Sequence, residues 1–141
     1  MQRIALATTP EEIGRCYRVM HQLRPHLARE EFVPRVQKQM SEGYQLVYLE
    51  AEGEIVAVGG FRITEILATG RTLYVDDLVT DEQARSQGYG HTLLQWLEQY
   101  ASERGCQTFS LDSGTHRQDA HAFYFRERLR VTSFHFAKRL T

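Results

Sequence analysis

The chain has 141 residues, a quarter of them charged, at a formal net charge of −1. A chain of that size buries one substantial core without disulfides or a structural metal, and its even charge offers no Lys/Arg cluster or aromatic-basic interleaving for a phosphate backbone. No run approaches the roughly 20 apolar residues of a membrane span and the first residues hold no signal core, so the expectation is one cytoplasmic domain over residues 1–141 with neither nucleic acid nor membrane as partner.

Residues 3–7 alternate like a first strand. Thr9-Pro10-Glu11-Glu12 then starts a helix, with Thr9 as N-cap, Pro10 in the first turn and Glu12 placed to close a capping box. Ile13, Tyr17, Met20 and Leu23 follow at helical spacing until Pro25. A second helix runs from about Ala28, with Phe32, Val36 and Met40 on one stripe, and Gly43 stops it. Residues 44–50 and 54–63 are rich in β-branched and aromatic residues and join through the hairpin turn Ala51-Glu52-Gly53. Residues 72–80 form the next strand, followed by a glycine-containing turn and a helix that carries Leu93, Leu94, Trp96, Leu97 and Tyr100 and closes at Gly105. A short strand over 108–112, a helix over 119–129 with Ala120, Phe123 and Tyr124 on one face, and a closing strand over 131–140 complete the chain. The order βααβββαβαβ implies an α/β (α+β) fold, in which a mixed, mostly antiparallel sheet carries helices on both faces.

Gly88 and Gly90 sit between a strand and a helix. Glycine removes the Cβ that blocks backbone approach, and the first helical turn leaves N–H groups pointing outward with partial positive charge, so such a turn suits an anion cradle, though a glycine pair before a helix is as often simply a tight turn. No Gly-Lys-Ser/Thr follows, which excludes a Walker loop, and the third glycine of a dinucleotide fingerprint is absent. Asp112, His116, Asp119 and His121 match no zinc or facial-triad spacing, so no metal is expected. Cys16 and Cys106 are expected as free thiols.

Arg85-Ser86-Gln87-Gly88-Tyr89-Gly90 resembles the Arg/Gln-x-x-Gly-x-Gly/Ala signature of the GCN5-related N-acetyltransferases. Leu73 through Thr80 is similar to that family's bulged fourth strand, and Ala120-His121-Ala122-Phe123-Tyr124 to its later Ala-x-x-Phe/Leu-Tyr helix. The resemblance implies an enzyme using acetyl-coenzyme A as cosubstrate, without a metal. It implies that amides from Gln87 to Gly90, in a loop shaped by Arg85 and including Ser86 and Tyr89, hold the pyrophosphate. It also implies that Leu78 and Val79 lend backbone groups to the pantetheine, with the Val79 amide facing the thioester oxygen. Tyr124 corresponds to the tyrosine that hydrogen-bonds the coenzyme A sulfur, and Asp76 to a carboxylate that some amine-acetylating relatives use as base. Where the family often has a glycine-aromatic pair after that tyrosine helix, this chain has Arg128-Leu129, so the helix is expected to end differently.

Strand alternation predicts that Asp76 and Asp77 face opposite sides, one of them toward the substrate cleft; the plainer alternative is that either caps a loop or pairs with an arginine. Phe61 and Arg62 are further candidates for the acceptor pocket, Arg62 more simply as a solvated edge charge; Asp112, His116 and His121 are alternative bases. The walls of the pocket are expected from the first two helices and the loop over 64–71. The even charge favours a small-molecule amine as acceptor, with a non-catalytic acyl-coenzyme A sensor and a protein or aminoacyl-tRNA acetyltransferase as alternatives, and a homodimer is a further expectation.

Overall fold

Local capping chemistry starts the fold. In the computed structural model, which describes residues Met1–Thr141, strand β1 (Gln2–Leu6) leads to Thr9, whose hydroxyl accepts from the Glu12 amide while the Glu12 carboxylate accepts from the Thr9 amide. The amides of Thr8 and Thr9 hold that carboxyl down to about 2, and helix α1 (Pro10–Arg15) follows. A turn at Cys16 interrupts the expected single helix and gives α2 (Tyr17–Leu23). Arg24 leaves the helix at φ −120°, ψ 71° because Pro25 disfavours helical backbone before it, and α3 (Arg29–Met40) comes next.

Residues Met1–Ser110 and Leu111–Thr141 form separate compact units. The sheet of five strands has the order β1-β2-β3-β4-β5, with β2 Gln45–Ala51, β3 Glu54–Ile66, β4 Gly70–Thr80 and β5 Thr108–Leu111. The first three pairings are antiparallel. Helix α4 (Tyr89–Glu103) carries the chain from β4 to β5. Because the Gln107 amide donates to the Arg71 carbonyl at 2.7 Å, β5 starts beside the start of β4 and runs parallel to it. Residues 64–66 and 70–71, expected in a pocket-wall loop, extend the β3–β4 hairpin instead, with Ile66 opposite Gly70.

Alternation along β2 sets the two faces. Leu46 and Tyr48 join Ile13, Val19, Met20 and Phe32 in a core beneath α1, α2 and α3. Val47 points the other way, to meet Leu93 and Leu97 of α4 at Gly59. Helices therefore cover both faces, as the sequence predicts. Each fully buried leucine of α4 is worth about 1.5–3 kcal/mol of transfer free energy.

In the second unit, α5 (Gln118–Arg126) ends in a Schellman arrangement: the Arg128 amide donates to the Phe125 carbonyl and the Leu129 amide to the Tyr124 carbonyl, both at 3.0 Å. Arg128 occupies the left-handed position at φ +70°. The helix thus stops in the ordinary way in spite of its missing glycine, at about 1–2 kcal/mol of backbone cost. The closing strand expected over 131–140 is absent; no regular element follows α5. Alternating apolar residues give a segment only the side-chain pattern of a strand; a ladder is made by backbone hydrogen bonds, and the sheet's pairing does not extend to residues 131–140. No helix is long and apolar enough to cross a membrane.

Asp81 fastens the end of β4. Its amide donates to the Val56 carbonyl at 2.8 Å, and its carboxylate receives Arg18 at 3.0 Å, Gln22 at 3.1 Å and the Gln83 amide at 3.3 Å. Burial pushes the carboxyl up, but those donors together outweigh it and hold it below the usual range. Asp81→Ala should cost about 1–3 kcal/mol in urea unfolding at neutral pH. A folded-state pKa below the unfolded one means that the ionic share of this stability is present above about pH 4 and is lost as pH falls through the lower folded value, so the gap to wild type should narrow in acid.

Candidate active site

One extra residue in β4 builds the site. The β3–β4 register passes from Gly60 opposite Asp77 to Phe61 opposite Val75, so Asp76 has no partner across the ladder. Such a bulge suspends alternation and re-aims side chains. Asp76 and Asp77, expected on opposite faces, both line one cleft of about 250 Å³ under α2 and α3. Arg24, Arg35, Gln39 and Tyr44 share its wall.

Each carboxylate has its own cation. Asp77 receives the Tyr44 hydroxyl at 2.8 Å and Arg24 Nε at 2.9 Å. Asp76 is held by both ends of the Arg62 fork, Nε at 3.1 Å and Nη2 at 3.0 Å, while Arg24 Nη2 donates to the Asp76 carbonyl at 2.9 Å. Arg62 is therefore paired with a carboxylate of the cleft, not a solvated edge charge, and its guanidinium lies 5.5 Å from the Tyr44 ring centre. Burial raises the Asp76 carboxyl above its usual value; Arg62 opposes that shift and Asp77 adds to it. Burial, reinforced by Asp77, lifts the Tyr44 phenol well above its ordinary value, so it stays a donor. Phe61 is not a pocket wall, because it is buried on the α4 face against Tyr100 at a ring separation of 5.2 Å.

Gly60 makes this arrangement possible. A Cβ there would collide with the Tyr44 hydroxyl and the Asp77 carboxylate. Sequence reasoning missed Tyr44, Arg24 and Gln39; the glycine pair Gly59-Gly60 inside a strand was the available signal, since it marks close approach of another group.

Beyond Asp81 the chain enters the glycine turn. Ser86 at φ +69° and Gly88 at φ +82° are both left-handed, and Gly88 caps α4 with open space around it. Left-handed residues alternating with others turn successive N–H groups inward to form an anion-binding concavity. Arg85, Ser86, Gln87 and Gly88 are exposed; Tyr89 and Gly90 are half-buried in the first turn of the helix. Leu78 and Val79 pair with Gly59 and Val58 on one side. On the other side the four residues of β5, starting beside Arg71, run out before Asp76, so no strand of the sheet pairs that edge of residues 76–80. The turn thus fits a pyrophosphate and the open edge fits an amide-bearing arm.

In the second unit Tyr124 is half-buried on α5. Burial raises its phenol, with a partly opposing hydrogen bond from Arg117. His121 Nε2 donates to the Gly114 carbonyl at 2.7 Å, and Asp112 lies 3.7 Å from His135. Asp112, His116, Asp119 and His121 do not converge as a ligand set. Both cysteines are free, and burial pushes the Cys16 thiol up to about 12, which removes it from nucleophilic chemistry at neutral pH.

Residues 9–129 match the model of the acetyltransferase (GNAT) family. An uncharacterised N-acetyltransferase of Bacillus subtilis is 36% identical over 118 residues, 83% of each chain. An aminoalkylphosphonate N-acetyltransferase of Salmonella typhimurium is 36% identical over 66 residues, covering 47% of this chain and 43% of that protein. Among solved structures, an aminoglycoside N-acetyltransferase in complex with coenzyme A superposes with a TM-score of 0.87 over 99% of this chain and 94% of the other, at 10% identity, which is a likeness of fold.

Gly60→Ala should break the contact of Tyr44 with Asp77 or displace β3, at about 1–3 kcal/mol in urea unfolding. Gly59→Ala is the control, because its methyl meets Val47, Leu97 and Leu93 side chains at 3.2–3.6 Å and these can yield. It should cost less, and the reverse order would contradict the account of the cleft.

Proposed function

The chain belongs to the acetyltransferase (GNAT) family, and we propose that it acts as one domain that moves an acetyl group from acetyl-coenzyme A to the amine of a small molecule, by direct attack in a ternary complex. The observation that carries this reading is the bulge, which puts a carboxylate of raised pKa on a small cleft at the point where β4 leaves its neighbour and heads for the glycine turn. A cleft of about 250 Å³ is below the usual range for drug-sized ligands, about 300–1,000 Å³. That size favours a small acceptor, as does the name of the aminoalkylphosphonate relative.

Acetyl-coenzyme A supplies the activated acyl carbon. The amides of Gln87 to Gly90 hold its pyrophosphate, Arg85 and Ser86 shape the turn, Tyr89 opens the helix, and Leu78 and Val79 present backbone groups along the open edge, the Val79 amide toward the thioester oxygen. An alkylamine of pKa about 10.4 costs roughly 4–5 kcal/mol to neutralise at pH 7, so a proton acceptor on the cleft is needed. Asp76 takes that role and Asp77 does not: both Asp77 oxygens have separate structural partners, and the Asp76 side chain is the more accessible, at 25% against 15%. Tyr124 is the hydrogen-bond donor to the departing sulfur. With its phenol raised above the ordinary value it remains protonated, so it stabilises the thiolate without giving up the proton.

Saturation with acetyl-coenzyme A at about 100 times its dissociation constant should add roughly 2.7 kcal/mol and raise the melting midpoint by several degrees. A Gly88→Glu, Gly90→Glu variant should lose that rise. If a folded wild-type protein shows none, the turn is only a turn and the reading fails. Asp76→Asn should keep the thermal shift and lower kcat by about 10²–10⁴-fold. The wild-type rate should climb with pH through a value above that of an ordinary aspartate, because a base of raised pKa is free only above it; an Asp76→Asn profile with the same inflection would reassign the base.

A further inference from the structure

Charge on the wall of the cleft does not balance. Asp76 is matched by Arg62 and Asp77 by Arg24, which leaves two groups over. Arg35, exposed on α3, and His26, exposed in the turn between α2 and α3, both face the cleft and take part in no hydrogen bond, ion pair or ring contact. Most arginines of residues 1–110 are occupied: Arg15, Arg18, Arg24 and Arg62 by carboxylates, Arg71 and Arg104 by carbonyls, Arg3 and Arg29 over tyrosine rings. Arg85, at the glycine turn, and Arg35 are the two left free. Gln39 stands one helical turn beyond Arg35 and shares the wall. Its side-chain oxygen accepts from Arg62 Nη2 at 3.4 Å, so its NH2 is left for another acceptor. The helix side of the cleft is thus a set of N–H donors around one uncompensated cation, and the strand side carries Asp76.

An alkylamine of pKa about 10.4 arrives as a cation. A simple monoamine would meet paired carboxylates and an unpaired guanidinium, and like charges set together cost affinity. A molecule with an oxyanion of its own removes that cost. We propose that the acceptor is a short zwitterion, an amine bearing a carboxylate or a phosphonate, and that Arg35 determines specificity by binding this oxyanion, with Gln39 and His26 as further donors. The planar fork of Arg35 suits either group by two parallel hydrogen bonds. The oxyanion takes no part in the transfer; it fixes which end of the molecule faces Asp76. This inference rests on the acetyltransferase reading for the reaction, but on the cleft alone for the anion.

The test compares aminoethylphosphonate, β-alanine and propylamine, by thiol release from acetyl-coenzyme A and by calorimetric binding with and without coenzyme A. At least one of the two zwitterions should exceed propylamine in kcat/KM by about 10- to 100-fold, the worth of a hydrogen bond to a charged group. The better of the two identifies the anionic group. Arg35→Ala should remove most of that ratio through KM, Arg35→Lys should keep part of it, and Lys38→Ala should keep all of it, since Lys38 is exposed on the same helix but does not line the cleft. Equal kcat/KM for the three amines, or a ratio that survives Arg35→Ala, overturns the proposal and leaves the acetyltransferase reading in place. Loss of the thermal rise with acetyl-coenzyme A in Arg35→Ala also overturns it, because Arg35 is then a cofactor contact. If no amine is turned over but a zwitterion binds in an Arg35-dependent way, the acetyltransferase reading fails and the anion site stands. Neither turnover nor binding of either zwitterion overturns the proposal.

Discussion

The cleft depends on one surplus residue in β4. Between Val75 and Asp77 the strand has a residue for which β3 has no counterpart, and that single mismatch turns two adjacent carboxylates to the same side. Burying two anions next to each other is costly unless each is paired, because desolvation alone takes several kcal/mol per ion. The sequence meets this with two arginines from different elements. Arg62 comes from β3, directly alongside; Arg24 comes from the end of α2, where Pro25 has just released the backbone from the helix. A helix stop, a bulge and a glycine without a Cβ are thus parts of one arrangement, and losing any of them leaves another with an unsatisfied group.

The same strand delivers the glycine turn. Past the bulge β4 keeps β3 as partner but outruns β5, so its far edge lacks strand hydrogen bonds while its near edge remains fixed. Asp81 then ties the chain to α2 through Arg18 and Gln22 before the turn begins. An exposed turn with left-handed Ser86 and Gly88 would otherwise be free to reorganise. Fastened at Asp81 and continued by α4, whose leucines are fully buried, it is held between two rigid elements, which is what a preorganised anion site requires.

What the sequence discloses and what it withholds follow from distance along the chain. The capping box at Thr9, the stop at Pro25, the hairpin turn at Glu52-Gly53 and the glycine turn at Gly88 that opens α4 were legible, because each is set by the φ/ψ preference or side-chain reach of residues within four positions. The bulge was not, since it is a property of the register between β3 and β4 and appears in neither strand by itself. The same holds for the contact of Tyr44 with Asp77, which joins residues 33 positions apart. Reading Arg62 as a surface charge failed for that reason: its partner is fixed by pairing across the sheet. Arg128 is a different failure. Helix-stop chemistry predicts glycine in the left-handed position, and the helix closed there without it. At the C-terminus Phe134 and Phe136 alternate, but a pattern states which side chains a strand would bury and not whether its backbone joins a ladder.

The opposing influences on Asp76 bear on its proposed role. In water an alkylammonium near 10.4 and a carboxylate near 3.9 differ by more than six units, so proton transfer between them is uphill by roughly 9 kcal/mol. Burial narrows that gap from both ends, because it disfavours the ammonium and the carboxylate alike and favours the neutral amine and acid that transfer produces. Arg62 widens the gap again by stabilising the anion. With burial the larger influence, the Asp76 carboxyl lies above its usual value in spite of a two-point contact with a guanidinium. Arg62, through that two-point contact, also fixes the orientation of the carboxylate. A cleft that excluded less water would leave the same pair as an ordinary salt bridge, too weak a base to act on an amine.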